Sequence, residues 1–370
     1  MNPFDVLNVK IRGESHSPCI SVEIGNLPEG ESFALAEVEE CLGRRKSGKY
    51  LFSTPRREDD VPVWESGVKI TGNVGMITGT VTARIDNSNV RPADYSYTRT
   101  PRPSHADYTS YVKDGADAAA SGGGRFSGRM TAPLVIAGAI AKSLLEKSGV
   151  KVGAYVSRLA GVSGKKRPEE TPSLAEIESC RNLPLPMLAG NDEAAEKVAR
   201  ISERGDSAGG VVECVVFGLP AGLGDNLWDG LESKISAVLY GIPAVKGVEF
   251  GAGFAIADMT GSRANDPFVL RDGKVKTDTN NAGGINGGIS NGMPVVVRAA
   301  FRPTPSVSVP QRTVDLETMS ETEITVRGRH DATVVPRAAV VTECAVALAV
   351  YDEMLKCQKE KKCLKGVQND

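Results

Sequence analysis

Histidine is nearly absent from this chain, which has His16, His105 and His330 and no other in 370 residues. They are isolated from one another in sequence, whereas a metal centre wants paired ligands at close spacing, so no metal site is expected. Aromatic residues are also scarce, at 5%, while forty glycines are a mild excess. That combination favours tight turns and close backbone approaches over large aromatic packing. Excess charge is missing too: a net charge of −2 argues against a nucleic-acid partner, and any anion site must be a local concentration of Arg and Lys. No Cys-x-x-Cys pair occurs among Cys19, Cys41, Cys180, Cys214, Cys344, Cys357 and Cys363, which read as reduced thiols of a cytoplasmic protein. The start, MNPFDVLNVKIRGE, has no cationic stretch leading into an apolar one, so no signal peptide is expected. The longest apolar run, AAVVTECAVALAVY, is interrupted by Glu343 and is too short to span a bilayer.

What is present is patterned. FALAEVEECLGRRKSG, TAPLVIAGAIAKSLLEKSG, NLWDGLESKISAVLYGIP and PRAAVVTECAVALAVYDEMLKCQKEKK have helical periodicity or helix-forming composition, the second apolar nearly all round. GMITGTVTARIDN alternates Thr78, Thr80 and Thr82 against Ile77, Val81 and Ala83, as a half-buried strand does. KVGAYVSRLAGV, GGVVECVVFGLP and GMPVVVRAAFRPTPS are β-branched runs bounded by Gly or Pro. Helices and strands interleave without regular βαβ repeats, so the expectation is an α+β fold. Nothing resembling a linker divides residues 1–370, which are expected as one domain with about 357–370 a solvated, disordered tail.

Several segments have the residues for chemistry. SGGGRFSGRMTAPL places Arg125, Ser127 and Arg129 on a glycine run entering a helix. Free amides and the helix dipole attract an anion there, and arginine adds bidentate recognition; a plain glycine-rich turn is the rival reading. GRRKSGKYLFSTPRRED, with Arg44, Arg45, Lys46, Lys49, Arg56 and Arg57, is either a solvated face or a mobile basic loop closing over a small polyanion. NNAGGINGGISNG, with Gly283, Gly284, Gly287, Gly288 and Gly292, is either a series of turns or backbone laid against a planar ligand. RGDSAGGVVE is like the surround of a serine nucleophile at Ser207, but Ala208 interrupts that pattern. Each histidine sits beside Arg, Asp, Glu or Ser, where protons move near neutral pH.

Taken together, GESHSP, RRKSG, RPSHADYT, GGGRFSGR, GDSAGG, AVKGVEFGAGF, NNAGGINGGISNG, FRPTPS and GRHDATVVPRA, in this order through nearly the whole chain, resemble the chorismate synthase family. The resemblance implies a β-α-β sandwich, a homotetramer, and 1,4-anti elimination of phosphate from 5-enolpyruvylshikimate 3-phosphate to give chorismate. It also implies a requirement for reduced FMN, with NADPH as reductant in some members. Carried over by motif, His16 is the general acid for the leaving phosphate and His105 protonates the reduced flavin. Asp331, helped by Ser15, is the relay base, and His330 is scaffold. Arg45, Arg102, Arg129 and Arg329 match substrate-anion residues. The flavin residues are Arg125, Phe126, Ser127, Ser236, Ala237, Gly287, Arg302, Pro303, Thr304, Pro305, Ser306 and Arg329. The chain departs from the family at Phe126, where Ser is usual, at Gly128 and Met130, at Leu51, often Arg, and at Ala332, commonly Pro. Ser207 has no protease role in that family. A flavin- or anion-binding protein without lyase activity is the alternative of another class.

Overall fold

Alternating apolar residues build two antiparallel sheets, and two apolar helices fill the space between them. The structure is a computed structural model that describes residues 3–54, 58–87, 99–115, 123–165, 170–326, 328 and 330–360. The first sheet contains β1 (Asn8–Gly13), β2 (Cys19–Gly25), β3 (Ser32–Ala34), β4 (Val63–Thr71) and β5 (Val74–Asp86), in the order β1-β2-β5-β3 with β4 also on β5. The period of two in β5 is realised: Ile77, Val81, Ala83 and Ile85 are buried while Thr78 is exposed. The second sheet has the order β7-β6-β8-β14-β9, from β6 (Lys151–Leu159), β7 (Val162–Ser163), β8 (Gly210–Phe217), β9 (Val245–Phe250) and β14 (Val295–Phe301). Three hairpins complete the strands: β10 (Phe268–Arg271) with β11 (Lys274–Thr277), β12 (Ile285–Asn286) with β13 (Ile289–Ser290), and β15 (Gln311–Asp315) with β16 (Ser320–Ile324).

The helices are α1 (Leu35–Arg45), α2 (Asp107–Asp114), α3 (Thr131–Lys147), α4 (Leu174–Cys180), α5 (Asn191–Glu203), α6 (Leu231–Tyr240), α7 (Gly261–Ala264) and α8 (Val335–Glu360). Helix α3 packs on β1, β2, β3 and β5, and α8 packs on β6 and β8, with α3 and α8 against each other. That is why both are apolar on nearly every side. They cross where a Cβ on Gly138 would fall 2.3 Å from the Cβ of Cys344, so only glycine permits this approach. The result is the β-α-β sandwich of an α+β fold.

Two expectations change here. Helix α8 runs on to Glu360, and its buried face reaches Cys357 before the exposed Gln358, Lys359 and Glu360; the tail residues 361–370 lie outside the described ones. Cys357 is also disulfide-bonded, whereas Cys19, Cys41, Cys180, Cys214 and Cys344 are free, so the chain is not uniformly reduced. No helix among the described residues is long and apolar enough to cross a membrane.

Candidate active site

Where the C-terminal end of α1, the N-terminal approach to α3, the end of β14 and the start of α8 converge, they enclose a cavity of about 370 Å³. That is within the usual size range for small-molecule sites. Of the residues singled out by sequence, Arg45, Arg102, His105, Phe126, Ser127, Gly128, Arg129, Arg302, Thr304, Pro305, Ser306, His330 and Asp331 line it. Sequence reasoning missed Glu58, Asp60, Thr131 and Arg337, which line it too.

The arginines are not bare cations. Arg45 is buried, donating to Asp60 Oδ2 at 2.8 Å, to Thr131 Oγ1 at 2.9 Å and to the Gly128 carbonyl at 3.1 Å. Burial and the nearby Arg129 and Arg337 outweigh Asp60 and bring its pKa down to about 10. Asp60 also takes Arg129, which meets Glu58 at 2.7 Å. Arg102 grips Asp107 through both Nε, at 2.7 Å, and Nη2, at 2.8 Å. Against the upward push of burial, Arg102 holds the Asp107 carboxyl below its ordinary value. Arg302 is the exception: it makes no ion pair among the described residues, and burial alone lowers its pKa. Nε of Arg302, Nη2 of Arg129, Nε of Arg337 and Oγ1 of Thr304 are buried and meet no partner among the described residues. Unmet donors are costly unless a ligand supplies acceptors, and these border a cavity that can hold one.

The Arg102–Asp107 pair closes a loop that presents His105, with Ser104 beside it at φ +60°. Asp60 (φ +47°) and Ala244 (φ +77°) also line the cavity in left-handed backbone, strain of the kind that gathers at functional sites. His105 Nδ1 lies 3.1 Å from the Pro103 carbonyl and Nε2 2.8 Å from Ser306 Oγ. Burial and the Arg102 and Arg302 charges pull its pKa down to about 4, against Asp107 and the Pro103 carbonyl. Asp331 Oδ1 accepts from the Thr54 amide at 2.8 Å and Oδ2 from Arg337 at 2.6 Å. The arginine on Asp331 is therefore Arg337, one turn into α8, rather than a preceding one; Arg327 and Arg329 lie outside the described residues.

His16 and Ser15 do not line the cavity but adjoin it. The Ser15 amide donates to Gly124, and Asn87 donates to the Ser17 carbonyl while accepting from Arg129 Nε at 3.0 Å. Arg125 is exposed, bonded to Asp114 at 2.5 Å and stacked 4.9 Å over the Phe126 ring. Ser236 and Ala237 on α6, and Gly287 in the β12–β13 turn, do not line the cavity; Leu231 N at the start of α6 donates to Gly288 O. The glycines of that segment approach the chain itself: a Cβ on Gly288 would meet Asp225 O at 2.1 Å and one on Gly283 the Gly251 N at 2.4 Å. Pro303 is exposed next to Arg302.

The basic loop is hydrogen-bonded to its surroundings over its described part. Tyr50 donates to Arg181 O, Lys49 to Asn182, Leu51 N to Pro184 O, and Ala332 N to Phe52 O; Arg56 and Arg57 lie outside the described residues. The GDSAGG segment is a brace. Ser207 Oγ donates to Thr304 O at 2.6 Å and Ala208 N to Ala332 O, which leaves no histidine partner for a serine nucleophile among the described residues. Glu37, Cys41 and Glu343 have metal-ligand spacing, but the Lys142 ammonium sits among them.

An α+β scaffold that gathers arginines, histidine and carboxylates around one such cavity has the layout of a small-molecule enzyme. A model of the chorismate synthase family matches residues 7–355. The chorismate synthase of Thermococcus kodakarensis is 45% identical over 353 residues, covering 95% of this chain and 96% of the relative. That of Dehalococcoides mccartyi is 41% identical, covering 93% of each. A crystal structure of chorismate synthase superposes with a TM-score of 0.73 at 24% identity, covering 95% of this chain and 93% of that one; this likeness supports the fold. The chain belongs to the chorismate synthase family, whose members are lyases.

Proposed function

We propose that the protein eliminates phosphate from 5-enolpyruvylshikimate 3-phosphate in the 1,4-anti sense, giving chorismate, with reduced FMN bound. The observation that carries this reading is the set of buried donors without acceptors among the described residues, around a cavity that holds Arg302, His105 and Asp331 together. A doubly carboxylated phosphate and a flavin phosphate are rich in the acceptors these donors require. Phe126, Ser127, Arg302, Thr304, Pro305 and Ser306 hold the flavin, and Arg45, Arg102 and Arg129 hold the substrate anions. Reduced flavin, when bound, supplies the electron-rich ring that assists C–O cleavage and takes the substrate hydrogen. His16, on a turn tied through Asn87 to Arg129, protonates the leaving phosphate. His105 keeps a proton at the flavin, and Asp331, aided by Ser15, accepts one. Arg125, Pro303, Ser236, Ala237, Gly287 and Arg329 are flavin residues by resemblance alone. The homotetramer, the cytoplasmic location, residues 1–370 as one domain, and NADPH as an optional reductant belong to the same reading.

The test is anaerobic turnover with chemically reduced FMN, following phosphate release, and then with NADPH in its place. Phosphate release with reduced FMN is expected. Binding of flavin and substrate without release would leave an anion-binding protein and overturn the lyase reading.

A further inference from the structure

We propose that the Ser306 hydroxyl relays a proton between His105 and the ligand in the cavity, so that His105 works through Ser306 rather than by direct contact. This rests on the function proposed above. His105 Nδ1 is 3.1 Å from the Pro103 carbonyl, which can only accept, so Nδ1 bears the hydrogen. Nε2 is then the acceptor and Ser306 Oγ, at 2.8 Å, the donor. Both residues line the cavity, and the second ring nitrogen is already engaged by the hydroxyl.

Ser306 is held in place independently of His105. Two residues before it Ser207 Oγ grips the Thr304 carbonyl at 2.6 Å, and two residues after it Ser308 N donates to Gly205 O at 2.8 Å. The charged groups facing His105 are Arg102 and Asp107 from its own loop and Arg302 from the end of β14. Burial first, and then the charges of Arg102 and Arg302, disfavour the protonated ring, and an anion beside the two arginines offsets their part of that. A proton taken up from solvent at Nε2 then reverses the hydrogen bond: Nε2–H donates to Ser306 Oγ, and the hydroxyl hydrogen turns to the ligand. In the transfer the Nε2–H bond breaks as a new Oγ–H bond forms, and the original Oγ–H bond breaks as a ligand–H bond forms. No electrons change hands, Ser306 is unchanged, and the ring returns to the Nδ1–H tautomer without a flip.

The test uses the full chain labelled with ¹⁵N-histidine, whose three histidines keep two-bond ¹H–¹⁵N spectra simple, and His105→Gln assigns the signal. Ligand-free protein at neutral pH should show His105 as the Nδ1–H tautomer, with the Nε2 resonance shifted in Ser306→Ala and restored in Ser306→Thr. With reduced FMN, Ser306→Ala should lose roughly 10²-fold in kcat with KM changed only a few-fold, and Ser306→Thr should recover most of it. An Nε2–H tautomer in the wild type, or a Ser306→Ala kcat within about threefold of wild type, overturns the relay. Absence of phosphate release by the wild type overturns the functional reading and the relay with it, and the tautomer spectrum shows separately whether the contact exists.

Discussion

Arg44 and Arg45 are neighbours on the last turn of α1, yet they serve two different charge clusters. Arg44 turns into the core and binds both oxygens of Glu343 at 2.9 Å. Lys142, the Ala154 amide at 3.0 Å and Arg181 at 3.6 Å surround the same carboxylate. Against the upward push of burial, these cations hold Glu343 far below the usual carboxylate range. Arg45 turns the other way, to Asp60 and the cavity. Both clusters are buried, both contain several arginines, and both leave guanidinium N–H groups unmatched, at Arg44 and Arg181 in one and at Arg129, Arg302 and Arg337 in the other. An unmatched donor therefore does not mark a site by itself. What distinguishes the second cluster is room beside the donors, together with Arg302, a cation without a carboxylate among the described residues.

The comparison breaks most sharply at Glu343. Glu343→Gln leaves three cations around a neutral amide in the core and should cost ~3–5 kcal/mol of stability, as loss of one partner of a buried pair does. Urea unfolding measures this, and the folded fraction should bind anions as before. A loss below ~1 kcal/mol would show the core cluster to be dispensable.

At the cavity, Asp331→Asn should act on turnover. Asn keeps the size and can still accept from Thr54, but it cannot usefully take a proton. We expect roughly 10²-fold or greater loss of kcat with flavin and substrate affinity nearly unchanged. Weaker binding with kcat preserved at saturation would assign Asp331 to scaffolding through Arg337 alone.

Arg302→Met against Arg44→Met sharpens the contrast between the clusters. Removing Arg302 orphans no carboxylate among the described residues, so stability should hold, while affinity for anionic ligands falls about 10- to 100-fold, the worth of a charge-assisted hydrogen bond. Removing Arg44 should do the reverse. Calorimetric titration and thermal unfolding of the two variants decide it.

How much of this was legible follows from sequence separation. Period two in β5 and the nearly all-round apolar α3 are local signals, and with the irregular interleaving of elements they reach an α+β fold; the sandwich itself came only with the family resemblance. Helix α5 was missed although Ala194 and Val198 are buried four residues apart, since its helix formers are mostly charged and its apolar stripe is narrow. Glu58 and Asp60 were in view, directly after the basic run, but nothing local shows that they turn back onto Arg45 and Arg129. Pairs such as Arg44 with Glu343, 299 residues apart, and His105 with Ser306, 201 apart, exist only once the sheets are stacked. GDSAGG misled in the opposite sense: its glycines serve close packing, as a Cβ on Gly209 would lie 2.5 Å from Phe301 O, and its serine is a strut.

The smallest expected effect concerns protons at His105. In the ligand-free protein its pKa falls from 6.5 to about 4, chiefly by burial and then by Arg102. Since the unfolded chain binds that proton more readily, this group's contribution makes the fold less stable as pH drops from 6.5 towards 4. An anion seated between Arg102 and Arg302 opposes the second cause and raises the pKa, so the bound state holds more protons than the free one. By linkage, binding should take up a fraction of a proton at intermediate pH and tighten as the pH is lowered through that window. Sulfate is the suitable probe, because it does not itself titrate there. Calorimetry at pH about 5.5 in two buffers of different ionisation heat measures the uptake, which should vanish in His105→Gln if the imidazole is its source. Zero uptake or proton release by the wild type would mean that anions bind away from Arg102 and Arg302. Uptake that survives in His105→Gln would assign the proton to the cavity carboxylates instead.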